Sequence, residues 1–308
     1  MSKHHLVKLG TRGSALALWQ ANFIARLILE HHPGTRIKIK KITTQGDRDQ
    51  ASSLTRIGGQ GIFTKFIEEA LLQQEIDIAV HSLKDLPSRL DERLELAAAP
   101  ARISVADVLI TPDGKDLDAL RNGAVIGSGS VRRRAQLLHL RHDLQMRDLR
   151  GNIETRLRKL KTGVYDAIVM AEAALLRLQV KDIVYKRFSE DQIIPAVGQG
   201  AIGVEMRRDE TGIAALLASI NHRPTFTAVM AERAFLRTLD SGCQFPVGAH
   251  AVCRDDRLII TGFAASEDGK KMIKAQVNGS VSDPDGCGKQ LAEELIAKGG
   301  REILEWSM

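Results

Sequence analysis

Cysteine is scarce in this chain of 308 residues, which contains only Cys243, Cys253 and Cys287. No two of them form the Cys-x-x-Cys spacing that is typical of structural zinc sites, so we expect no metal. An odd and sparse set of cysteines, in a chain that begins without a recognisable signal peptide, favours reduced thiols in the cytoplasm. A secreted fold held together by disulfides is therefore not expected.

Long apolar runs and aromatic residues are also in short supply. No stretch reaches the roughly 18 apolar residues that a membrane-spanning helix needs. Aromatic residues make up only 4% of the chain, so surfaces on which bases could stack are few. The net charge of +6 is compatible with nucleic acid, but it suits a small polyanionic ligand equally well. We expect a small-molecule ligand, no membrane and no nucleic acid.

Strand-like and helix-like patterns alternate over the first two thirds of the chain. The predicted strand Leu6–Thr11 is followed by the amphipathic helix Ser14–Glu30, and the short apolar run Ile76–Val80 reads as a buried parallel strand. The alternation starts again after residue 105. Two such series of β/α units predict an α/β fold with two doubly wound domains, whose default ligand site is a crevice at the carboxyl ends of the strands.

The other predicted elements complete this picture. Further strands are expected at Arg36–Ile42, Leu94–Ala99, Ala124–Gly127, Gln145–Leu149 and Ala167–Ala171. Further helices are expected at Phe63–Gln74, Val131–Arg141, Asn152–Lys161, Ile213–Ile220 and Thr225–Leu239. The segment Gln192–Glu205, apolar but interrupted by glycine and proline, is typical of a crossover or hinge. A small α+β domain is predicted at the end, with strands Ala249–Cys253, Leu258–Ala264 and Met272–Val277 and the helix Gln290–Trp306.

Arginine recurs at the predicted strand-to-helix turns. The turn Gly127–Ser130 opens a helix that continues at once with Arg132 and Arg133. Free N–H groups at a helix start attract anions, and arginine adds bidentate recognition of carboxylates. Solvation at the surface would explain any single arginine, but the recurrence favours an anion-binding site. Comparable positions are held by Arg12, Arg150 and Arg156.

Two short motifs carry side chains that could do chemistry. Lys84 and Asp85 come directly after a predicted strand, where Asp85 could stabilise a cation or move a proton. A helix cap or a surface ion pair explains the same residues equally well. Cys243 lies in a turn bracketed by glycine and proline, where its thiol could be a nucleophile or an attachment point. From the sequence alone, a buried and inert cysteine is the favoured alternative.

A glycine-rich polar segment, residues 46–61, could form a mobile lid over a ligand site. An ordinary surface loop is the alternative interpretation. Gly198–Gly200 lacks the Lys-Ser/Thr of a phosphate-binding loop, so it does not indicate a nucleotide site.

Five motifs, found in one order along the chain, resemble those of the porphobilinogen deaminase family. The motifs are Thr11–Gln20, His81–Asp85, Leu149–Asn152, Pro195–Ala201 and Gly242–Pro246. The resemblance runs from Leu9 to about Trp306. It implies two domains similar to the lobes of periplasmic binding proteins, residues 1–100 with 200–220 and residues 105–195. A small C-terminal α+β domain, residues 222–308, is implied to carry the cofactor cysteine.

The resemblance also implies an activity. Members of the family join four porphobilinogen molecules into linear hydroxymethylbilane with release of ammonia, in tetrapyrrole biosynthesis. They carry a dipyrromethane cofactor, made from two substrate molecules and held by a thioether, which the resemblance assigns to Cys243. Asp85 matches the catalytic aspartate, whose implied role is to hold pyrrole N–H groups and stabilise the cation formed when ammonia leaves. A cytoplasmic monomer is expected.

The remaining site residues follow from the family pattern as well. Because the acetate and propionate groups of the growing chain cannot be buried unpaired, they need cationic partners. Family positions that bind the cofactor are matched by Lys84, Asp85, Ser130, Arg132 and Arg133. Positions that bind substrate are matched by Arg12, Ser14, Ser128, Arg150, Arg156 and Arg177. The implied lid residues are Arg56, Gln60 and Phe63. The chain departs from the usual family pattern at Gln60, Phe66, Ile103–Ala106 and Ala174.

Two other functions are compatible with parts of the pattern. A binding protein for an anionic metabolite would need neither Cys243 nor Asp85 and would normally carry a signal peptide. A basic nucleic-acid-binding protein would show a contiguous basic face and salt-sensitive binding. The arginines here occur singly at turns, which favours the enzyme.

Overall fold

The computed structural model describes residues 6–43, 64–239 and 245–305. These residues form two compact units. The first unit contains the chain up to Ile103 together with Ala201–Thr227, and the second contains Ser104–Gly200 and the chain from Ala228 onwards. The second unit thus includes most of the segments that the sequence assigned to a second and a third domain.

The described residues contain the following elements in chain order. The strands are β1 (Leu6–Thr11), β2 (Arg36–Lys41), β3 (Ile78–Ser82), β4 (Leu94–Ala98), β5 (Asp107–Ile110), β6 (Val125–Gly127), β7 (Gln145–Arg147), β8 (Ala167–Ala171), β9 (Tyr185–Arg187), β10 (Ile202–Arg207), β11 (Val247–Arg254), β12 (Arg257–Ala265) and β13 (Met272–Ser280). The helices are α1 (Ala15–His31), α2 (Lys65–Leu72), α3 (Val131–Leu140), α4 (Ile153–Lys161), α5 (Glu172–Arg177), α6 (Thr211–Ala218), α7 (Arg223–Leu239), α8 (Pro284–Ala297) and α9 (Gly300–Glu305). A single 3-10 turn, Leu83–Asp85, follows β3 directly.

The first unit is built on a five-stranded sheet in the order β2-β1-β3-β10-β4. Strands β1, β2 and β3 are parallel, and β10 runs antiparallel to both of its neighbours. Ile78 and Val80 of β3 pack in one apolar cluster with α1 and α6, whereas Ala79 packs in another cluster with α2. Helices therefore cover both faces of the sheet, which explains why its central strands are apolar at successive positions.

The second unit contains another five-stranded sheet, in the order β7-β6-β8-β5-β9. Leu109 and Val169 pack with α3 on one face, while Val108 and Ile168 pack with α4 and α5 on the other. A three-stranded antiparallel sheet, β11-β12-β13, packs against α7 and α8 through a separate apolar cluster. The α/β class, with two doubly wound sheets and a small α+β part, is confirmed.

The segment Gln192–Glu205 was predicted to be a crossover or hinge, and it does carry the chain from the second unit into the first, which resumes at Ala201. Its last residues belong to β10, a fully buried central strand that was not predicted. The short strands β5 and β9 were not predicted either. One helix prediction was wrong in its bounds. The expected closing helix Gln290–Trp306 instead begins at Pro284 and breaks at Gly299, whose φ of +92° favours glycine and cannot continue an α-helix.

None of the helices in the described ranges is long and apolar enough to span a membrane.

Candidate functional site

A pocket in the first unit lies where β1 and β3 end. Arg12 follows β1 directly, and Asp85 ends the turn that follows β3. Parallel strands place the residues after their carboxyl ends at one edge of the sheet, which explains how positions 12 and 85 meet. The pocket is lined by Arg12, Ser14, Leu16, Ala17, Gln20, Thr64, Val80, His81, Ser82 and Asp85.

The start of α1 is fixed by local hydrogen bonds. The Ser14 hydroxyl accepts from the Ala17 amide at 3.3 Å, an N-cap bond that satisfies one of the free N–H groups of the first turn. The buried Thr11 hydroxyl donates to the Ala17 carbonyl at 3.2 Å. One helical turn later, the Gln20 amide donates to the Ser82 hydroxyl at 2.8 Å. The helix is thus tied to the end of β3 on the pocket side.

The turn that carries Lys84 and Asp85 is anchored by an apolar residue. Leu83 is buried, and its amide donates to the Ala201 carbonyl at 3.1 Å. Lys84 is half-buried and Asp85 is exposed. The anchor leaves the Asp85 carboxylate accessible at the pocket while the backbone beneath it is held.

Arg132 and Arg133 lie in the second unit and share one carboxylate. The Arg132 guanidinium donates through Nη2 to Asp107 Oδ2 at 2.6 Å, and Arg133 donates through Nε and Nη2 to Asp107 Oδ1 at 2.9 and 2.7 Å. All three side chains are buried. Burial by itself would raise the pKa of Asp107, but the two adjacent guanidinium groups hold it well below its usual range.

This buried group carries more positive than negative charge. Two guanidinium cations face one carboxylate, and Gln199 adds a further neutral donor to Asp107 Oδ1 at 2.9 Å. Arg132 Nε is buried and has no hydrogen-bond partner among the described residues. Two guanidinium groups that share one carboxylate, with an N–H donor left over at Arg132 Nε, fit an anionic group such as the carboxylates of a bound pyrrole.

Two serines stand at the start of α3, next to these arginines. The Ser130 hydroxyl caps the helix by accepting from the Arg133 amide at 3.4 Å. The Ser128 hydroxyl is fully buried and accepts from the Ser130 amide at 3.2 Å. The caps hold the turn in the conformation that presents the helix N-terminus.

Arg150 and Arg156 border the turn that leads into α4. Arg150 Nε lies 3.1 Å from the Asp148 carboxylate, and Arg156 Nε donates to the Gly151 carbonyl at 2.7 Å. Gly151 has a φ of +108°, and a Cβ there would lie 2.6 Å from Thr155. Glycine is therefore required at this turn for both conformation and space.

Arg177 ends α5 and is buried. Its Nη2 donates to the Gly200 carbonyl at 2.8 Å. Burial lowers the pKa of Arg177 to about 10. The guanidinium therefore stays charged at neutral pH, although it is nearly removed from water.

Comparison with known protein families identifies the chain. A family model described as "Porphobilinogen deaminase, dipyromethane cofactor binding domain" matches residues 7–215, and "Porphobilinogen deaminase, C-terminal domain" matches residues 226–297. The chain belongs to the porphobilinogen deaminase family. Similar relatives named porphobilinogen deaminase include one from Alkaliphilus metalliredigens, 45% identical over 97% of this chain and 95% of its own length. Another, from Pelotomaculum thermopropionicum, is 47% identical over 97% of this chain and 96% of its own length.

Solved structures of similar shape are more distant. The BenM effector binding domain with its effector benzoate has a TM-score of 0.43 at 17% identity and covers 71% of this chain and 91% of that chain. A probable amino-acid ABC transporter extracellular-binding protein from Bacillus subtilis has the same TM-score at 11% identity and covers 71% of this chain and 90% of that chain. The fold class follows from the strand orders of the two five-stranded sheets.

The structure brings several of the expected deaminase residues together within each unit. Arg12, Ser14 and Asp85 line the first-unit pocket, with Lys84 in the same turn. In the second unit, Ser128, Ser130, Arg132 and Arg133 gather at the start of α3. Arg150 and Arg156 flank the turn before α4, and Arg177 ends α5. The expected cofactor cysteine and lid residues, Cys243, Arg56, Gln60 and Phe63, lie outside the described residues.

Sequence reasoning overlooked several residues that build these sites. Asp107 begins a strand of four residues, too short to show a period, and its partners Arg132 and Arg133 lie 25 and 26 positions away. Gln20 and His81 were present inside two of the family motifs but were given no role. Their polar side chains at otherwise apolar positions were the available signal.

Proposed function

We propose that this chain joins four porphobilinogen molecules head to tail into linear hydroxymethylbilane, with ammonia released at each coupling and water completing the release of product. The observation that carries the proposal is the first-unit pocket, which places Asp85 beside Arg12 and the capped start of α1. A carboxylate, a guanidinium and hydroxyl groups in one pocket suit a substrate that develops positive charge while bearing carboxylates of its own.

Substrate binding is the first task assigned to these residues. Each pyrrole brings an acetate and a propionate, and bidentate contacts from arginine are the strong way to hold carboxylates. In the first unit, Arg12 and Ser14 supply such donors at the pocket. In the second unit we assign the same task to Ser128, Arg150, Arg156 and Arg177.

Asp85 is assigned the catalytic role. When ammonia leaves porphobilinogen, the pyrrole that remains carries positive charge, which a nearby carboxylate stabilises. The same carboxylate accepts hydrogen bonds from pyrrole N–H groups and takes up the proton that the ring carbon loses once the new C–C bond has formed. The anchored turn around Leu83 holds Asp85 in place for both steps.

The described residues also fit the anionic cofactor of the family. We assign Cys243 as its thioether attachment, and Lys84, Asp85, Ser130, Arg132 and Arg133 as the residues that hold it. When bound, dipyrromethane supplies the pyrrole end from which the product chain is built. The excess cation beside Asp107 and the spare Arg132 Nε donor support this assignment.

Further assignments extend the same proposal. We propose a cytoplasmic monomer of three domains, residues 1–100 with 200–220, 105–195 and 222–308. Arg56, Gln60 and Phe63 are proposed to act as lid residues. Family membership supports each of these assignments.

An assay of product formation tests the proposal. Purified protein is incubated with porphobilinogen, and hydroxymethylbilane and ammonia are measured for the wild type, Asp85→Ala and the control Asp113→Ala. Asp113 is an exposed aspartate of the second unit, paired with Lys115. We expect Asp85→Ala to lose activity by on the order of a hundredfold or more, because the developing cation loses its counter-charge. The control should match the wild type.

Two outcomes would contradict the proposal. A wild type that neither consumes porphobilinogen nor releases ammonia would remove the activity itself. An active wild type with an equally active Asp85→Ala variant would leave the activity standing but remove the role of Asp85.

A further inference from the structure

A buried histidine–glutamate pair lies under the first-unit pocket. Strands β3 and β10 are antiparallel neighbours in which Gly203 faces His81 and Glu205 faces Ala79. His81 and Glu205 are therefore diagonal neighbours on one face of the sheet, within reach of each other. His81 Nε2 lies 3.1 Å from Glu205 Oε2, and the two side chains are 4% and 0% exposed.

The carboxylate determines the tautomer of this histidine. An ionised carboxylate can only accept hydrogen bonds, so the hydrogen between the two groups is on His81 Nε2. The ring is thereby fixed in orientation, and Nδ1 is its remaining hydrogen-bonding atom. Pairs of this kind are a common way to orient a histidine for work elsewhere.

A second carboxyl group stands next to this pair. Glu68 of α2, the helix that covers this face, has its pKa raised by burial and by the negative charge of Glu205. Glu205 Oε1 is buried without a hydrogen-bond partner among the described residues.

The group is continuous with the pocket. His81 and Thr64 are among its lining residues, together with Asp85. His81 is followed at once by Ser82, which bonds to Gln20, and then by the turn that ends in Asp85. A shift of the His81 ring or of its backbone would therefore be passed directly to the catalytic turn.

Burial of this pair needs a reason other than stability. Replacing a buried ion pair by apolar side chains of similar size is often neutral or stabilising. Next to the pair, Ala79 of the same sheet face packs against Ile67 and Ala70 of α2. A buried polar pair where this face meets the pocket indicates a role in the pocket.

We propose that His81 and Glu205 are positioning residues for Asp85, setting both the orientation of the turn that carries it and the charge beneath it. The proposal rests on the assigned role of Asp85 in the reaction. The charged groups around the pair, on α2, on β10, in the loop before β4 and at the pocket, are Glu68, Arg207, Asp91, Arg12 and Asp85.

The experiment replaces the buried charge without changing its shape. Glu205→Gln keeps an oxygen that can accept from His81 Nε2 but removes the negative charge. Glu75→Gln is the matched control, because Glu75 is an exposed glutamate of the same unit, paired with Lys40. Hydroxymethylbilane formation is measured for both variants and for wild type across pH, with kcat and KM separated.

We expect Glu205→Gln to lower kcat on the order of tenfold to a hundredfold, with KM within twofold of the wild type. The acidic limb of its pH–rate profile should move to lower pH, because removing negative charge beneath Asp85 favours the ionised carboxylate. Glu75→Gln should match the wild type in all three quantities. A purely structural role would change thermal stability but not the position of the limb.

A Glu205→Gln variant with wild-type kcat and an unmoved acidic limb would overturn the proposal. If Glu205→Gln does not fold, His81→Asn is measured in the same way. This variant keeps the Glu205 carboxyl but removes the ring that joins it to the turn, and a wild-type kcat in His81→Asn would then overturn the proposal. Asp85→Ala is assayed beside these variants. Full activity in Asp85→Ala would mean that the assigned site has failed, whereas an inactive Asp85→Ala with a normal Glu205→Gln would refute only the positioning role.

Discussion

Asp107 offers the sharpest test of how the second unit holds its arginines. The substitution Asp107→Asn keeps the shape of the side chain but removes the one carboxylate that Arg132 and Arg133 share. Two guanidinium groups, each less than one tenth exposed, would then face a neutral amide. Removing one partner from a buried ion pair costs about 3–5 kcal/mol, so we expect a loss of that size in the free energy of unfolding.

The assay is urea unfolding followed by tyrosine absorbance and near-ultraviolet circular dichroism. Both tyrosines of the chain, Tyr165 and Tyr185, lie in the second unit, so the tyrosine absorbance change reports on that unit. The control is Asp143→Asn, since Asp143 is 38% exposed and its pair with Arg141 should contribute less than about 1 kcal/mol.

The pH dependence gives a second check on the same substitution. The pKa of Asp107 is lower in the folded protein than its ordinary value of 3.8. The stability that ionised Asp107 contributes is therefore fully present above pH 3.8 and is lost as the pH falls toward the folded-state pKa. The difference in the free energy of unfolding between wild type and Asp107→Asn should therefore become smaller in acid.

If Asp107→Asn destabilised the second unit by less than about 1 kcal/mol, the buried cations would not depend on this carboxylate. As an internal check, adding Arg133→Leu to Asp107→Asn should recover part of the loss, because one buried charge disappears with its partner.

Two further predictions concern stability. Glu68→Gln should stabilise the protein at neutral pH and leave its stability unchanged below pH 4.5. The pKa of Glu68 is raised in the folded protein, so the wild type loses stability as the pH rises through that folded-state pKa. Melting temperatures at pH 4 to 8, with Glu69→Gln as control, check this, and equal wild-type and Glu68→Gln curves would contradict it. Gly269→Ala should destabilise more than Gly163→Ala: both glycines have a φ above +70°, but a Cβ at 269 would lie 2.5 Å from the Ala135 carbonyl, whereas position 163 has open space. Gly163→Ala should cost about 1–2 kcal/mol in urea melts, and equal losses at the two positions would refute the packing argument.

Elements with a clear local period were predictable from the sequence. Strand Leu6–Thr11 and strand Ala167–Ala171 were predicted with their observed bounds, and α1 begins at Ala15 after its Ser14 cap. Capping residues and apolar periodicity are local signals, so no knowledge of the tertiary fold is needed to read them.

Elements set by tertiary packing were not predictable. Strand β10 is buried on both faces between β3 and β4, so it lacks the alternation that marks a half-exposed strand. The glycine-rich segment that precedes β10 has the composition of a hinge. Strands β5 and β9 have only four and three residues; β5 pairs with β8 and with β9, and β9 pairs with β5.

The same limit applies to the candidate sites. The family motifs indicated which arginines and serines to consider, and the helix starts explain why they stand at turns. The sequence did not indicate that both Arg132 and Arg133 bind Asp107, because that contact joins positions 25 and 26 residues apart. Nor did it indicate that Glu205 would bond to His81, which lies 124 residues away. Long-range polar pairs of this kind leave no periodic trace in a single sequence.

If the chain builds its product on a cofactor attached at Cys243, that attachment raises the intact mass of the protein. Wild type, Cys243→Ser and the control Cys253→Ser are purified, incubated with porphobilinogen, and their intact masses are measured. We expect an excess mass of two linked pyrrole units in the wild type and in Cys253→Ser, and none in Cys243→Ser. A wild type that stays unmodified, or a Cys243→Ser variant with the same excess mass, would contradict it.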